Sequence, residues 1–110
     1  MSAVKGRVAI LDDEPNVAWI LQTMLERAGY EVWPYSRPQE LLESLNAVVS
    51  GELDLLITDL SMPGMSGMEV LEGTRAMLPD LPVVMLTAFG TVEAAVTALK
   101  RGAFDFLTKP

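Results

Sequence analysis

The sequence predicts an α/β domain: one parallel sheet of five strands with helices on both faces. Three observations predict it. Residues 8–11, 55–57 and 82–86 are continuous apolar runs, too short for helices and too uniform for strands with one wet face. Between and after these runs, apolar residues recur at three- and four-residue spacing, which marks amphipathic helices. The two patterns alternate along the chain, with no internal repeat and no low-complexity linker.

The first strand, residues 8–11, runs into Asp12-Asp13-Glu14-Pro15. Proline suits the first turn of a helix, and acids favour the helix's positive end. Val17, Ile20, Leu21, Met24, Leu25 and Ala28 form the stripe of that helix, and Gly29 closes it. Residues 31–35 read as a second strand, placed at a sheet edge because Pro34 cannot donate to a ladder. Ser36 and Gln39 have capping-box spacing ahead of Leu41, Leu42, Leu45 and Val48, which predicts a second helix ending near Gly51. The third strand then leads to Asp59 and a Pro/Gly-rich turn.

Met68, Leu71, Arg75 and Leu78 predict a third helix that Pro79 stops. The fourth strand, residues 82–86, ends in Thr87. Thr91 is the expected N-cap of a fourth helix, with Val92, Ala95, Val96 and Leu99 as its buried stripe. Lys100 and Arg101 sit in its last turn and Gly102 ends it. Residues 104–108 are the fifth strand, followed by Lys109 and Pro110. Right-handed crossovers and an edge position for the second strand select the order 2-1-3-4-5, the flavodoxin-like doubly wound arrangement. A Rossmann order fits less well, because no Gly-x-Gly-x-x-Gly follows the first strand.

Composition narrows the function. The 110 residues make one domain, 1–110. There is no cysteine and no histidine, which excludes disulfides, thiolate metal sites and the commonest general base. The net charge is −7 and no basic stripe exists, against direct nucleic-acid binding. No apolar run nears the ~20 residues of a membrane span, and the first residues lack a signal sequence, so a cytoplasmic protein without a membrane partner is expected.

Asp12, Asp13, Asp59, Thr87 and Lys109 all stand at carboxyl ends of predicted strands, which a parallel sheet gathers at one rim. Taken singly, each is ordinary: helix-terminal acids, a turn hydroxyl, a solvated lysine. Together they are a site. Two carboxylates ~4 Å apart repel by about 4 kcal/mol at an effective dielectric near 20, so the cluster must take up protons or bind a cation. Oxygen-only ligands suit Mg²⁺ or Mn²⁺. A nucleophilic carboxylate, a metal, an ammonium and a hydroxyl are the parts of phosphoryl transfer, with an aspartyl phosphate as product. Asp54 and Asp105 open strands at the opposite rim and read as surface acids. Met62, Met65 and Met68 read as packing.

The motifs Ile10-Leu11-Asp12-Asp13-Glu14, residues 58–67, Met85-Leu86-Thr87-Ala88 and residues 102–110 together make the chain resemble a bacterial response-regulator receiver domain over nearly its whole length. The stretch from Thr87 to Pro110 is similar to receivers of σ54-dependent transcription activators of the NtrC type. The resemblance implies that Asp59 accepts phosphate from a sensor kinase's histidine. It also implies that Asp13 binds Mg²⁺ directly, Asp12 through water, and the Ser61 backbone carbonyl as a further ligand. Thr87 would hydrogen-bond the phosphoryl group and Lys109 would pair with it. Thr87 and Phe106 would form the switch that reshapes the helix 4/strand 5 surface, with Phe106 acting by packing alone. Ser61 and Phe89 would flank the phosphate, and the bond before Pro110 would be cis. The only catalysis implied is the domain's own phosphotransfer and autodephosphorylation.

Receivers continue into a fifth helix, which this sequence lacks. An exposed apolar patch along strands three to five is therefore expected, with self-association through it or through the helix 4/strand 5 face. Two other readings compete. A haloacid-dehalogenase-like phosphatase shares the aspartyl-phosphate chemistry but needs Asp-x-Asp where the acids here are adjacent. A phospho-independent interaction module would need none of the five chemical residues.

Overall fold

Short apolar runs bury best when both faces of a strand are covered, and the described residues meet that demand with nine alternating elements. A computed structural model describes residues 3–48, 51–88 and 90–109. They form β1 (Arg7–Leu11), α1 (Pro15–Arg27), β2 (Glu31–Tyr35), α2 (Pro38–Leu45), β3 (Leu55–Thr58), α3 (Gly67–Met77), β4 (Val83–Thr87), α4 (Val92–Lys100) and β5 (Asp105–Thr108). All strands are parallel, in the order β2-β1-β3-β4-β5. The predicted doubly wound topology is the observed one.

Register divides the side chains between two faces. Ala9, Leu11, Leu56, Val83 and Met85 share one face and belong to the main core with Leu41, Leu45, Val70, Leu71 and Ala98 from the helices. Val8, Ile10 and Val32 are buried on the other face, under Leu21 and Leu25 of α1. Farther along that second face Leu55, Ile57, Val84 and Leu86 are only half-buried, and Leu107 is exposed. Of the apolar patch expected over β3 to β5, only Leu107 is exposed; Trp19, Ile20 and Met24 of α1 are exposed as well.

The outer strand β2 carries Pro34, as its edge position demands. Glu31 donates its N–H to Gly6 and Asp12 donates to the Tyr35 carbonyl, so odd-numbered residues of β2 face β1. Alternation turns Val32 and Pro34 outward, where a missing N–H leaves no inward partner unsatisfied.

Local expectations were met where Pro15, Gly29 and Thr91 bound their helices. Pro15 opens α1 at its first helical position, and Gly29 follows that helix with φ of 101°. The Ser66 hydroxyl caps α3 through Glu69 N–H, and the Thr91 hydroxyl caps α4 through Ala94 N–H. Met62, Met65 and Met68 pack against the main core.

Three expectations are corrected. Ser36 and Gln39 form no capping box: Arg37 is the N-cap of α2, without a side-chain bond, because Pro38 fixes the helix start one residue later. The same helix ends at Leu45, well before Gly51, and Val48 reaches the core from the following turn. In α4 the stripe of large residues is not buried: Val92 is 80% exposed, and Val96 and Leu99 are exposed too. Ala98 is buried there instead, beside half-buried Ala94 and Ala95, because small side chains let the helix lie close on its neighbours.

Candidate functional site

The site begins with a register. Leu11 pairs with Thr58, so the next residue on each strand, Asp12 and Asp59, leaves the sheet at one rim. Asp59 donates its N–H to the Leu11 carbonyl at 2.9 Å, which fastens the two strand ends together. At the far side Lys109 donates its N–H to the Thr87 carbonyl at 2.8 Å, so β4 and β5 also end together.

The Lys109 side chain then spans the rim. Its ammonium lies 2.8 Å from Asp12 Oδ2, 3.0 Å from Asp59 Oδ2 and 3.3 Å from Glu14 Oε1. Both aspartates are buried, and the Lys109 side chain is only 6% exposed. The remaining carboxylate oxygens are held as well: Asp12 Oδ1 accepts the Glu14 N–H at 2.8 Å and Asp59 Oδ1 accepts the Ser61 N–H at 3.3 Å.

Burial raises the Asp12 carboxyl above its ordinary value, against the opposing pull of Lys109 and the Glu14 N–H. Burial alone would depress the Lys109 ammonium, but its hydrogen bonds to Asp12 and Asp59 outweigh that and raise it. The ammonium is thus firmly charged, while Asp12 is ionised at a cost.

Three carboxylates face one ammonium, which leaves a surplus of negative charge. One oxygen from each of Asp12, Glu14 and Asp59 lies within 4.8 Å of the others, a group that could hold a metal ion. The donors are all oxygens, as a hard divalent cation requires. The residues present fit Mg²⁺.

Of the predicted residues, the structure brings Asp12, Asp59 and Lys109 into contact and sets Thr87, fully buried, beside Lys109 through the backbone. Asp13 is exposed and outside the three-acid group; it lines a cleft of about 560 Å³ between the start of α2 and residues 62–65. Ser61 is exposed and touches Asp59 through its N–H. Phe106 is half-buried against the main core. A β-carbon on Gly90 would lie 2.6 Å from Thr108 Cγ2 and 3.1 Å from Phe106 Cε1, so the loop after β4 presses on that ring. Asp54 and Asp105 are surface acids, bonded to the Arg7 and Phe106 N–H groups. Phe89 and Pro110, with the bond preceding it, lie outside the described residues.

Two participants were missed. Glu14 reads in sequence as a helix-terminal acid, yet its carboxylate reaches Lys109. Gly67 packs so tightly under the site that a β-carbon would collide with the Asp59 carbonyl and the Leu60 α-carbon. The glycine in the turn after β3 was the available signal for the second.

Fold and rim together define a class: doubly wound domains of the CheY-like receiver type. The family model described as "Response regulator receiver domain" matches residues 8–110, and the chain belongs to that family. It is 38% identical over 106 residues to the DNA-binding transcriptional regulator NtrC of Escherichia coli (strain K12), covering 96% of this chain and 22% of that protein. It is 36% identical over 110 residues to the C4-dicarboxylate transport transcriptional regulatory protein DctD of Rhizobium meliloti (strain 1021), covering 100% of this chain and 23% of that protein. The chain thus spans less than a quarter of these curated relatives. Among solved structures, a response regulator receiver domain protein from Clostridium thermocellum superposes with a TM-score of 0.88 at 33% identity, covering 96% of this chain and 82% of that one. The beryllofluoride-activated NtrC4 receiver domain dimer superposes with a TM-score of 0.87 at 30% identity, covering 94% and 84%. Among the described residues no helix is long and apolar enough to cross a membrane. The chain is a signalling domain of two-component response regulators.

Proposed function

We propose that this receiver is switched by phosphorylation of Asp59 by a sensor histidine kinase, and that the switched domain controls transcription through an attached output. The observation that carries the reading is two buried carboxylates, Asp12 and Asp59, sharing the buried Lys109 ammonium at one rim. An Asp59 carboxylate oxygen attacks phosphorus as the P–N bond to the donor imidazole breaks; the imidazole nitrogen keeps that electron pair and takes up a proton. Lys109, 3.0 Å from Asp59 Oδ2, is placed to pair with the new phosphoryl charge. Thr87, at the end of β4, is assigned the hydroxyl hydrogen bond to a phosphoryl oxygen. Asp13, Asp59 and the Ser61 carbonyl would hold Mg²⁺ (or Mn²⁺) directly and Asp12 through water. When bound, the cation neutralises phosphoryl oxygens.

With no histidine, the chain can receive a phosphoryl group from imidazole but not supply one that way. Its chemistry is confined to its own phosphorylation and autodephosphorylation. The response runs through Thr87 to Phe106, whose ring lies against Gly90, and so to the α4/β5 surface. Exposed Val92, Val96, Leu99 and Phe104 make that surface, or the open sheet face, fit for a second copy of the domain. The location is cytoplasmic, with no direct contact to nucleic acid or membrane.

Incubation with Mg²⁺ and a small acyl phosphate, followed by intact mass, tests this. Wild type should gain one acid-stable, base-labile phosphoryl group and Asp59→Asn none. An unmodified wild type would replace the switch with a phospho-independent binding module.

A further inference from the structure

We propose that Glu14 is a positioning residue: it keeps the Lys109 ammonium at the rim when a divalent cation pushes it away from Asp12 and Asp59. The inference rests on the metal-assisted reading of the site and gives Glu14, whose oxygen also lies in the three-acid group, a role through Lys109 in place of one as a ligand. In the structure Lys109 has three carboxylate partners of two kinds. Asp12 and Asp59 are buried and tied by backbone N–H groups, so neither can follow the ammonium if it moves. Glu14 differs, because its side chain is 59% exposed while its carboxylate lies 3.3 Å from Lys109 Nζ.

A divalent cation held by Asp59, with Asp12 reached through water, repels an ammonium already bonded to both aspartates. The ammonium is then pushed toward its third carboxylate partner, which must supply a counter-charge. Glu14 supplies one on the solvent side. It sits at the N-cap of α1, where its own N–H fastens Asp12, so the same residue steadies a buried acid and offers the lysine an alternative partner. Lys109 then stays within reach of charge arriving on Asp59. Without Glu14, the ammonium competes with the cation for the two aspartates.

Calorimetric titration of the metal-free protein with Mg²⁺ reads this competition without any phosphoryl transfer. Glu14→Gln removes the charge, and Glu14→Asp keeps the charge but retracts it from Lys109. Both should weaken Mg²⁺ binding roughly three- to tenfold. A change below threefold in Glu14→Gln overturns the proposal, and so does an undiminished loss when Glu14→Gln is made in Lys109→Met, because Glu14 then acts on the cation directly. Wild-type affinity in Glu14→Asp also overturns it, because charge alone then suffices and the contact is idle. A wild type that binds no Mg²⁺ overturns both this inference and the metal-assisted reading. A normal Mg²⁺ response with no Asp59 adduct overturns only the phosphoacceptor assignment.

Discussion

The backbone carbonyl of Asp59 occupies the space that a β-carbon on Gly67 would need. Gly67 also donates its N–H to the Leu60 carbonyl at 2.8 Å, so the turn after β3 folds back directly beneath Asp59. Gly67→Ala must push that turn outward, since the obstacles include backbone and the Met85 sulfur. The expected loss is about 1–3 kcal/mol in urea unfolding, with slower acyl-phosphate labelling of Asp59. Unchanged stability would mean the turn is looser than its contacts imply.

Lys109 is the counter-charge for two buried acids, and removing it leaves them unneutralised. Lys109→Met is expected to destabilise the metal-free protein by about 3–5 kcal/mol at pH 7. The pH dependence has a definite sign. The ammonium is raised above its ordinary 10.5, so its contribution is complete below that value and is lost as pH climbs through the higher folded-state value. The stability gap between wild type and Lys109→Met should therefore hold steady from pH 7 to about 10 and narrow only above about 10.5. Asp12 has the same sign in a lower pH window. Raised above 3.8 by burial, it makes wild-type stability fall as pH rises from that value through its folded-state value. Thermal melts across the pH range check both limbs.

Among the described residues Thr74 carries a buried hydroxyl with no hydrogen-bond partner, on the face of α3 that enters the core. A methyl of the same shape has no such group to desolvate. Thr74→Val should stabilise the domain by about 1 kcal/mol, read as a higher urea midpoint with an unchanged slope. A loss of stability would show that the hydroxyl has a partner after all.

Topology was legible because it depends on order and burial. Continuous runs such as residues 82–86 have few uses other than a strand covered on both sides, and Pro34 marked the edge directly. The rim residues were legible for the same reason, since a parallel sheet puts every carboxyl end on one side whatever the side chains do. What escaped depends on distances that spacing does not encode. Val92, Val96 and Leu99 have the period of a buried stripe, yet α4 packs through Ala98, and periodicity cannot tell a large outward stripe from a small inward one. Ser36 and Gln39 have the spacing of a cap, but Pro38 between them decides where the helix begins. Glu14 was visible as an acid, and only the path of the Lys109 side chain across the rim shows what it meets.

Pro34 has a consequence for assembly. The outward row of β2 alternates Val32 with a residue that has no hydrogen to give, so another strand finds half the usual donors there. No proline interrupts the opposite flank, Asp105–Thr108 of β5, and Leu107 lies exposed on it. The sheet is thus blunt on one margin and open on the other. Copies that meet through β5 would use up each other's open margin and present only blunt ones to the next arrival. Edge-to-edge growth through β5 alone then ends at a pair.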